Sequence, residues 1–323
     1  MKVLLKQGYF GGIISFKMTE FGNSITTLSI NGMQGRMLYL RSQKPTDKEI
    51  LLIYGHHASI ERMQGFAQYM SRFGNVTICD LPGFGGMDSF YDINMKPTLE
   101  NYADYLASFI KIKYKDKKYT IMAMSFSFLI VTRMLQKYPN MSNNVDCIFS
   151  FVGFTHYKDF KLKKRYINMI KLTAKMFSGK ITSGIFRYTF LLSPIIATSY
   201  FVVSRKHAKM SGVGFKELRR RIRAEIKLWH INDVRTRMKT ILTMFCVDLC
   251  EYNQRINHKV YHIFVSKDVY VDQYMTEQHM NVIYDDYEAI ESPMNAHMPS
   301  IVATADEASQ FIPDAVIERI VKK

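Results

Sequence analysis

The hydrophobic pattern changes period several times along the chain. SITTLSI (24–30) and RMLYLR (36–41) alternate apolar and polar positions around Asn31-Gly32, and the apolar run EILLIY (49–54) follows. Asn-Gly between two such runs predicts a two-residue hairpin, because both residues tolerate the positive φ that a tight turn of that hand requires. IERMQGFAQYMSRFG (60–74) then spaces its apolar residues as a helix does and ends on Gly74, and NVTICDL (75–81) returns to strand. TLENYADYLASFIKIKY (98–114) predicts a helix with Thr98 as its cap, KKYTIMAM (117–124) a strand, SFLIVTRMLQKYP (127–139) a helix stopped at Pro139, and VDCIFSFVG (145–153) a strand. Repeated exchange of strand and helix after the hairpin predicts an α/β protein with a mostly parallel central sheet flanked by helices on both faces.

After residue 154 the rhythm stops. Helical, basic sequence runs to about residue 256, then VYHIFV (260–265) restores strand and EASQFIPDAVIERIVKK (307–323) predicts a closing helix. The expected organisation is one core, residues 1–153 and 257–323, interrupted by a helical insertion at 154–256.

Charge sharpens that boundary. Residues 154–256 hold 22 Lys and Arg against 6 Asp and Glu, a net of +16, and the whole chain is also +16 (44 − 28), so the rest balances at 22 against 22. An internal module with its own electrostatic job is expected there. At 47% hydrophobic and without low-complexity runs, the chain is globular rather than disordered. Its four cysteines are scattered; Cys246 and Cys250, four apart, lack a partner pair, so neither a zinc site nor a disulfide framework is expected. MKVLLKQGYFGGIISF makes a poor signal peptide, since Lys6 and a glycine pair interrupt its apolar run, and the cytoplasm is the expected location.

Candidate chemistry begins at AMSFS (123–127). The strand YTIMAM runs straight into Ser125 and a helix starts just after it, with small residues, Ala123 and Ser127, two positions to either side. A sharp strand-to-helix turn needs small side chains there, because larger ones meet the neighbouring backbone. Three other stretches lie at strand ends: ILLIYGHHAS (50–59), DLPGFGGMDS (80–89) and VSKDVYVD (265–272). A histidine, His297, follows in NAHMPS (295–300).

In this set and order the chain resembles the α/β-hydrolase fold family: serine hydrolases with a nucleophile elbow, and often a helical cap. The resemblance covers about residues 22–153 and 257–320. Tyr54 stands where a histidine is customary, and Met124, Ser127 and Val265 fill positions where the family pattern differs. The resemblance implies Ser125 as nucleophile, His297 as base and Asp268 as the acid that orients it, with Asp272 the alternative acid. It also implies an oxyanion hole from the backbone N–H groups of His56 and Phe126. Adjacent histidines point different ways, so His56 and His57 are expected to be loop residues rather than metal ligands, and no cofactor is implied. Asp80 and Asp88 are expected to brace their loop.

The function implied is hydrolysis of the carboxylic ester or thioester bond of a small-molecule or lipid-like acyl substrate. The alternatives are a fold-mate without turnover that only binds, or an acyltransferase or C–C hydrolase using the same triad. The insertion would be the cap. Its stretch 181–204 (ITSGIFRYTFLLSPIIATSYFVVS) is long enough for a transmembrane helix but a poor one, given Pro194, Arg187 and several hydroxyls; the other readings are two buried helices hinged at Pro194, or an apolar lid ringed by cations that settles on anionic membrane. KELRRRIRAEIK (216–227) predicts an amphipathic helix with its arginines in solvent. Base-stacking aromatics are not interleaved with them, so nucleic acid is not expected as a partner.

Overall fold

The computed structural model describes residues 24–203, 214–293 and 304–322. Eight strands form one sheet. In chain order they are β1 (Ile25–Ile30), β2 (Met33–Leu40), β3 (Glu49–Ile53), β4 (Asn75–Cys79), β5 (Tyr119–Met124), β6 (Val145–Phe151), β7 (Ile256–Phe264) and β8 (Tyr284–Glu291). Their order across the sheet is β1-β2-β4-β3-β5-β6-β7-β8. β1 and β2 are the hairpin, with Ile30 opposite Met33 and with Asn31 at φ 52° and Gly32 at φ 84° in the turn. β2 runs antiparallel to β4, and every later pairing is parallel.

Burial follows position in the sheet. Each residue of β3 and β5 is buried, as in strands covered on both faces, whereas the edge strand β8 (YDDYEAIE) leaves its acidic residues half or fully exposed. Core helices α1 (Gln64–Met70), α2 (Leu99–Tyr114) and α3 (Phe126–Lys137) link the central strands. Thr98 caps α2 by accepting from the Asn101 N–H at 3.2 Å.

Among the described residues between β6 and β7 lie five α-helices: α4 (Lys164–Met176), α5 (Lys180–Thr189), α6 (Ser193–Val203), α7 (Phe215–Ile231) and α8 (Val234–Met244). They gather around a small core of their own, in which Ala174, Leu191, Ile196, Val234 and Met238 are buried. The break between α5 and α6 falls at residues 190–192, where the axis bends by 72°, not at Pro194. Pro194 sits in the first turn of α6, where a missing N–H leaves nothing unpaired. Nor are the two helices buried: in α5 only Ser183 is, while Ile181, Ile185 and Tyr188 are exposed.

After β7 come α9 (Gln273–Ile283) and β8, neither of which the hydrophobic pattern announces. The closing helix is two helices, α10 (Ala305–Phe311) and α11 (Asp314–Lys322), because Pro313 cannot continue the first.

Candidate active site

β5 ends at Met124, α3 begins at Phe126, and Ser125 alone makes the turn. Its backbone sits at φ 51°, ψ −117°, a conformation that L side chains adopt only when the surroundings enforce it. The enforcement is visible in named bonds. The Ser125 N–H donates to the Phe151 carbonyl on β6 (2.9 Å). The buried Ser127 hydroxyl accepts from the Met124 N–H (2.9 Å) and donates to the Ile53 carbonyl on β3 (2.9 Å). The turn is thus tied to both neighbouring strands. The Ser125 hydroxyl has no hydrogen-bond partner among the described residues.

The loop leaving β3 touches this turn. A Cβ on Gly55 would lie 3.0 Å from the Met124 oxygen and 3.3 Å from the Ser125 Cβ, so only glycine lets the two backbones approach so closely. His56 follows, its ring edge-on to Phe126 at 5.7 Å between centroids. Among the described residues, neither the His56 N–H nor the Phe126 N–H has an acceptor; Phe126 belongs to the unpaired first turn of α3. Two free donors beside a serine on a strained turn are what an oxyanion requires.

Asp268 lies in the loop leaving β7, two strands from β5 and at the same edge of the parallel sheet. Its Oδ1 accepts from the N–H groups of Tyr270 (2.7 Å) and Val271 (3.3 Å). The Asp272 carboxylate is placed differently: it caps α9, accepting from the Met275 N–H at 3.1 Å. His297 lies outside the described residues. It falls in the connection from β8 to α10, and β8, parallel to β7, ends at that same edge.

The loop after β4 carries the braces. Tyr54 donates its hydroxyl to Asp80 Oδ1 (3.0 Å) and accepts from the Leu81 N–H (2.8 Å), while Arg36 bonds Asp80 Oδ2 (2.9 Å) and Glu61. Burial pushes the Asp80 carboxyl up to about 7, against the pull of Arg36. Gly85 has φ 64°, and a Cβ there would come within 2.0 Å of Asp80 Oδ1. Asp88 Oδ2 accepts from the Gln34 N–H, joining the same loop to β2.

The insertion rests on both loops. Asn232, between α7 and α8, accepts from the Gly85 N–H (2.8 Å) and donates to His57 Nδ1 (3.0 Å). On α8, Thr240 pairs with His56 Nε2 (2.9 Å) and Thr236 with Ser89 (3.0 Å). His56 and His57 do point apart, the first to Thr240 and Phe84, the second to Asn232, Trp229 and Glu225. Burial, then the nearby Arg237, lowers both imidazoles, His57 to about 3, so both are neutral near pH 7. Glu225 is held down to about 2 by His57 and Arg62 although burial opposes it.

Sequence reasoning misses this layer of Arg62, Glu225, Arg237 and Asn232, in which Arg62 meets Glu225 across 163 residues of chain and His57 meets Asn232 across 175. It also misses His156, Asp159 and His279, whose donor atoms lie within 4.8 Å of one another. Those atoms are already engaged: His156 Nδ1 accepts from the Lys158 N–H, its Nε2 meets Asp248 at 3.1 Å, and Asp159 takes His279 Nδ1. The two rings stack at 4.1 Å and 17°, so their in-plane lone pairs do not converge on one ion. The cluster clasps the two ends of the insertion to α9.

No family model and no curated protein matches the sequence. Solved structures match nearly throughout. A putative lipase from Acinetobacter baumannii is 15% identical with a TM-score of 0.63, covering 91% of each chain. A membrane phospholipase A, described as a bacterial virulence factor, is 13% identical with a TM-score of 0.66, covering 93% of this chain and 87% of its own. An enol-lactonase from Burkholderia xenovorans is 10% identical with a TM-score of 0.61, covering 92% and 98%. With the strand order, the elbow at Ser125 and these neighbours together, the chain has the α/β-hydrolase fold.

Proposed function

We propose that the chain is a serine hydrolase cleaving an acyl ester or thioester. The observation that carries the reading is Ser125 at φ 51°, ψ −117° between strand and helix, with two unpaired N–H donors beside it. In this mechanism Ser125 Oγ attacks the acyl carbon while His297 takes its proton. The carbonyl oxygen becomes an oxyanion held by the N–H groups of His56 and Phe126, each worth about 3 kcal/mol. The C–O or C–S bond then breaks, His297 protonates the leaving group, and water repeats the sequence on the acyl-enzyme. Asp268 orients the imidazole and stabilises its cation; Asp272, spent on capping α9, is the weaker candidate. No cofactor enters. Structural neighbours described as a putative lipase and a phospholipase support hydrolysis at the level of the fold.

A fluorophosphonate probe tests it. One adduct on the folded protein, absent in Ser125→Ala, is expected. No adduct on well-folded protein would instead favour a fold-mate that binds without turnover.

The insertion serves in this reading as a cap, and its outer face as a membrane contact. α4 and α5 pack on α8, and α6 on α7, leaving Met169, Leu172, Ile181, Ile185, Tyr188 and Phe201 exposed in a segment of net charge +16. No single described helix is long and apolar enough to cross a bilayer, although the bent α5–α6 pair passes by length and composition. Apolar side chains among cations suit an anionic lipid surface.

A further inference from the structure

The layer between the insertion and the β3 loop contains one cation too many. Arg62 and Arg237 are positive and Glu225 negative, while His57 is neutral. Glu225 is spent on other groups: Oε2 accepts from the Tyr200 hydroxyl (2.8 Å) and faces His57 Nε2 (3.5 Å), and Oε1 faces Arg62 Nη1 (3.7 Å). Arg237 is left over. Its guanidinium carbon lies over Trp229, 3.3 Å from the ring centroid, and its Nε and Nη1 are closed off from solvent with no acceptor among the described residues.

Guanidinium nitrogens shut away from water without an acceptor forfeit their hydration and gain only the ring contact, which is unfavourable unless something completes them. The planar fork of Arg237 fits two oxygens of one carboxylate or phosphate. Its place in the fold says what could reach it. The Thr240 hydroxyl that meets His56 Nε2 also bonds the carbonyl of Arg237, so this turn of α8 rests on the residue whose N–H stands beside Ser125. Trp229 in turn lies 4.8 Å from the ring of His57.

We infer that Arg237 receives an oxyanion carried by the substrate, a carboxylate or phosphate on the ester, so that the chain selects acidic esters over neutral ones of the same size. The inference rests on the hydrolase reading for turnover but not for binding.

Paired fluorogenic esters test it. The 4-methylumbelliferyl monoester of adipic acid carries a free carboxylate, its methyl ester is the neutral match, and the 6-phosphooxyhexanoate ester carries a phosphate. In the native sequence kcat/KM should favour an anionic ester over the neutral one by about 10- to 100-fold, the worth of one or two charge-assisted hydrogen bonds. Arg237→Met should abolish the preference and Arg237→Lys keep part of it. The faster of the two anionic esters identifies the source of the oxyanion. No preference in the native sequence, or a parallel fall on charged and neutral esters in both variants, overturns the subsite. Calorimetry with adipate, propyl phosphate and dimethyl adipate on Ser125→Ala protein reads binding without chemistry. Anion binding that depends on Arg237, with no ester turned over, keeps the subsite and sinks the hydrolase reading. Turnover of esters without any anion binding does the reverse.

Discussion

Ser127→Ala removes one oxygen atom from the centre of the elbow. That oxygen accepts the Met124 N–H and donates to the Ile53 carbonyl, both at 2.9 Å, at a position with no solvent exposure. Alanine leaves the Met124 N–H buried without a partner, a loss of about 1–3 kcal/mol, and the Ile53 carbonyl loses one donor, worth about 0.5 kcal/mol more. The volume change is a single hydroxyl, so a cavity adds little. The sum is about 1.5–3.5 kcal/mol, or roughly 3–7 °C in Tm at about 2 °C per kcal/mol for a chain of this size. Turnover should fall further than stability suggests. The lost bond joins the turn holding Ser125 to the strand that leads into Gly55 and His56, so the proposed nucleophile and the proposed oxyanion donor lose their common support. A shift of a fraction of an ångström between them is consistent with a fall in kcat of about 10-fold, with KM less affected. Thermal unfolding followed by circular dichroism, alongside ester turnover, measures both. A Tm within 1 °C of the native sequence would refute the assignment of these bonds. Lower stability with unchanged kcat would refute the coupling of Ser127 to catalysis.

Three further outcomes are expected. Asp268→Asn should lower turnover by orders of magnitude at nearly constant Tm, whereas Asp272→Asn, which keeps a good helix cap, should leave both nearly intact; the opposite pattern in a kinetic assay would make Asp272 the acid. Burial lowers the imidazoles of His56, His57 and His262, the last to about 4, so their contribution to stability is complete above pH 6.5 and is lost as pH falls. Urea titrations should then show a loss of about 1 kcal/mol per histidine between pH 7 and 5.5, and a flat profile would contradict neutral burial. Co-sedimentation should show more protein on acidic than on neutral vesicles, less at high salt, and less again when the exposed Arg219, Arg220 and Arg223 become Gln; equal, negligible binding to both vesicles would remove the membrane contact.

What the sequence makes legible is local. Asn31-Gly32, the alternation around it, Thr98 before its helix and the exchange of strand and helix each express their physics within a few residues, and each appears in the structure. β8 is hidden because an edge strand needs little apolar surface, and YDDYEAIE spends its alternate positions on acids that pair with Lys259 and Arg319. Arg221 is hidden for a different reason. Within KELRRRIRAEIK it looks like its exposed neighbours, but it turns inward to Glu217 and to Glu307, 86 residues away. Buried charge is chosen by partners distant in sequence, which a single chain does not announce.

The departures from the family pattern carry the same lesson at the site itself. Ser127 stands where glycine is usual and Tyr54 where histidine is usual, and from sequence each loosens the match. In the structure each supplies a hydroxyl that bridges two groups: Ser127 joins the Met124 N–H to the Ile53 carbonyl, and Tyr54 joins the Leu81 N–H to Asp80. Glycine at 127 would avoid a clash but satisfy neither Met124 nor Ile53. Both substitutions therefore replace permissiveness with bonding, and both act on the backbone of a loop rather than on a reacting atom. The positions a family pattern weights for fitting a turn are, in this chain, the ones that fasten it. A count of matched motif residues would rank this elbow as degraded, although Ser127 ties it to β3.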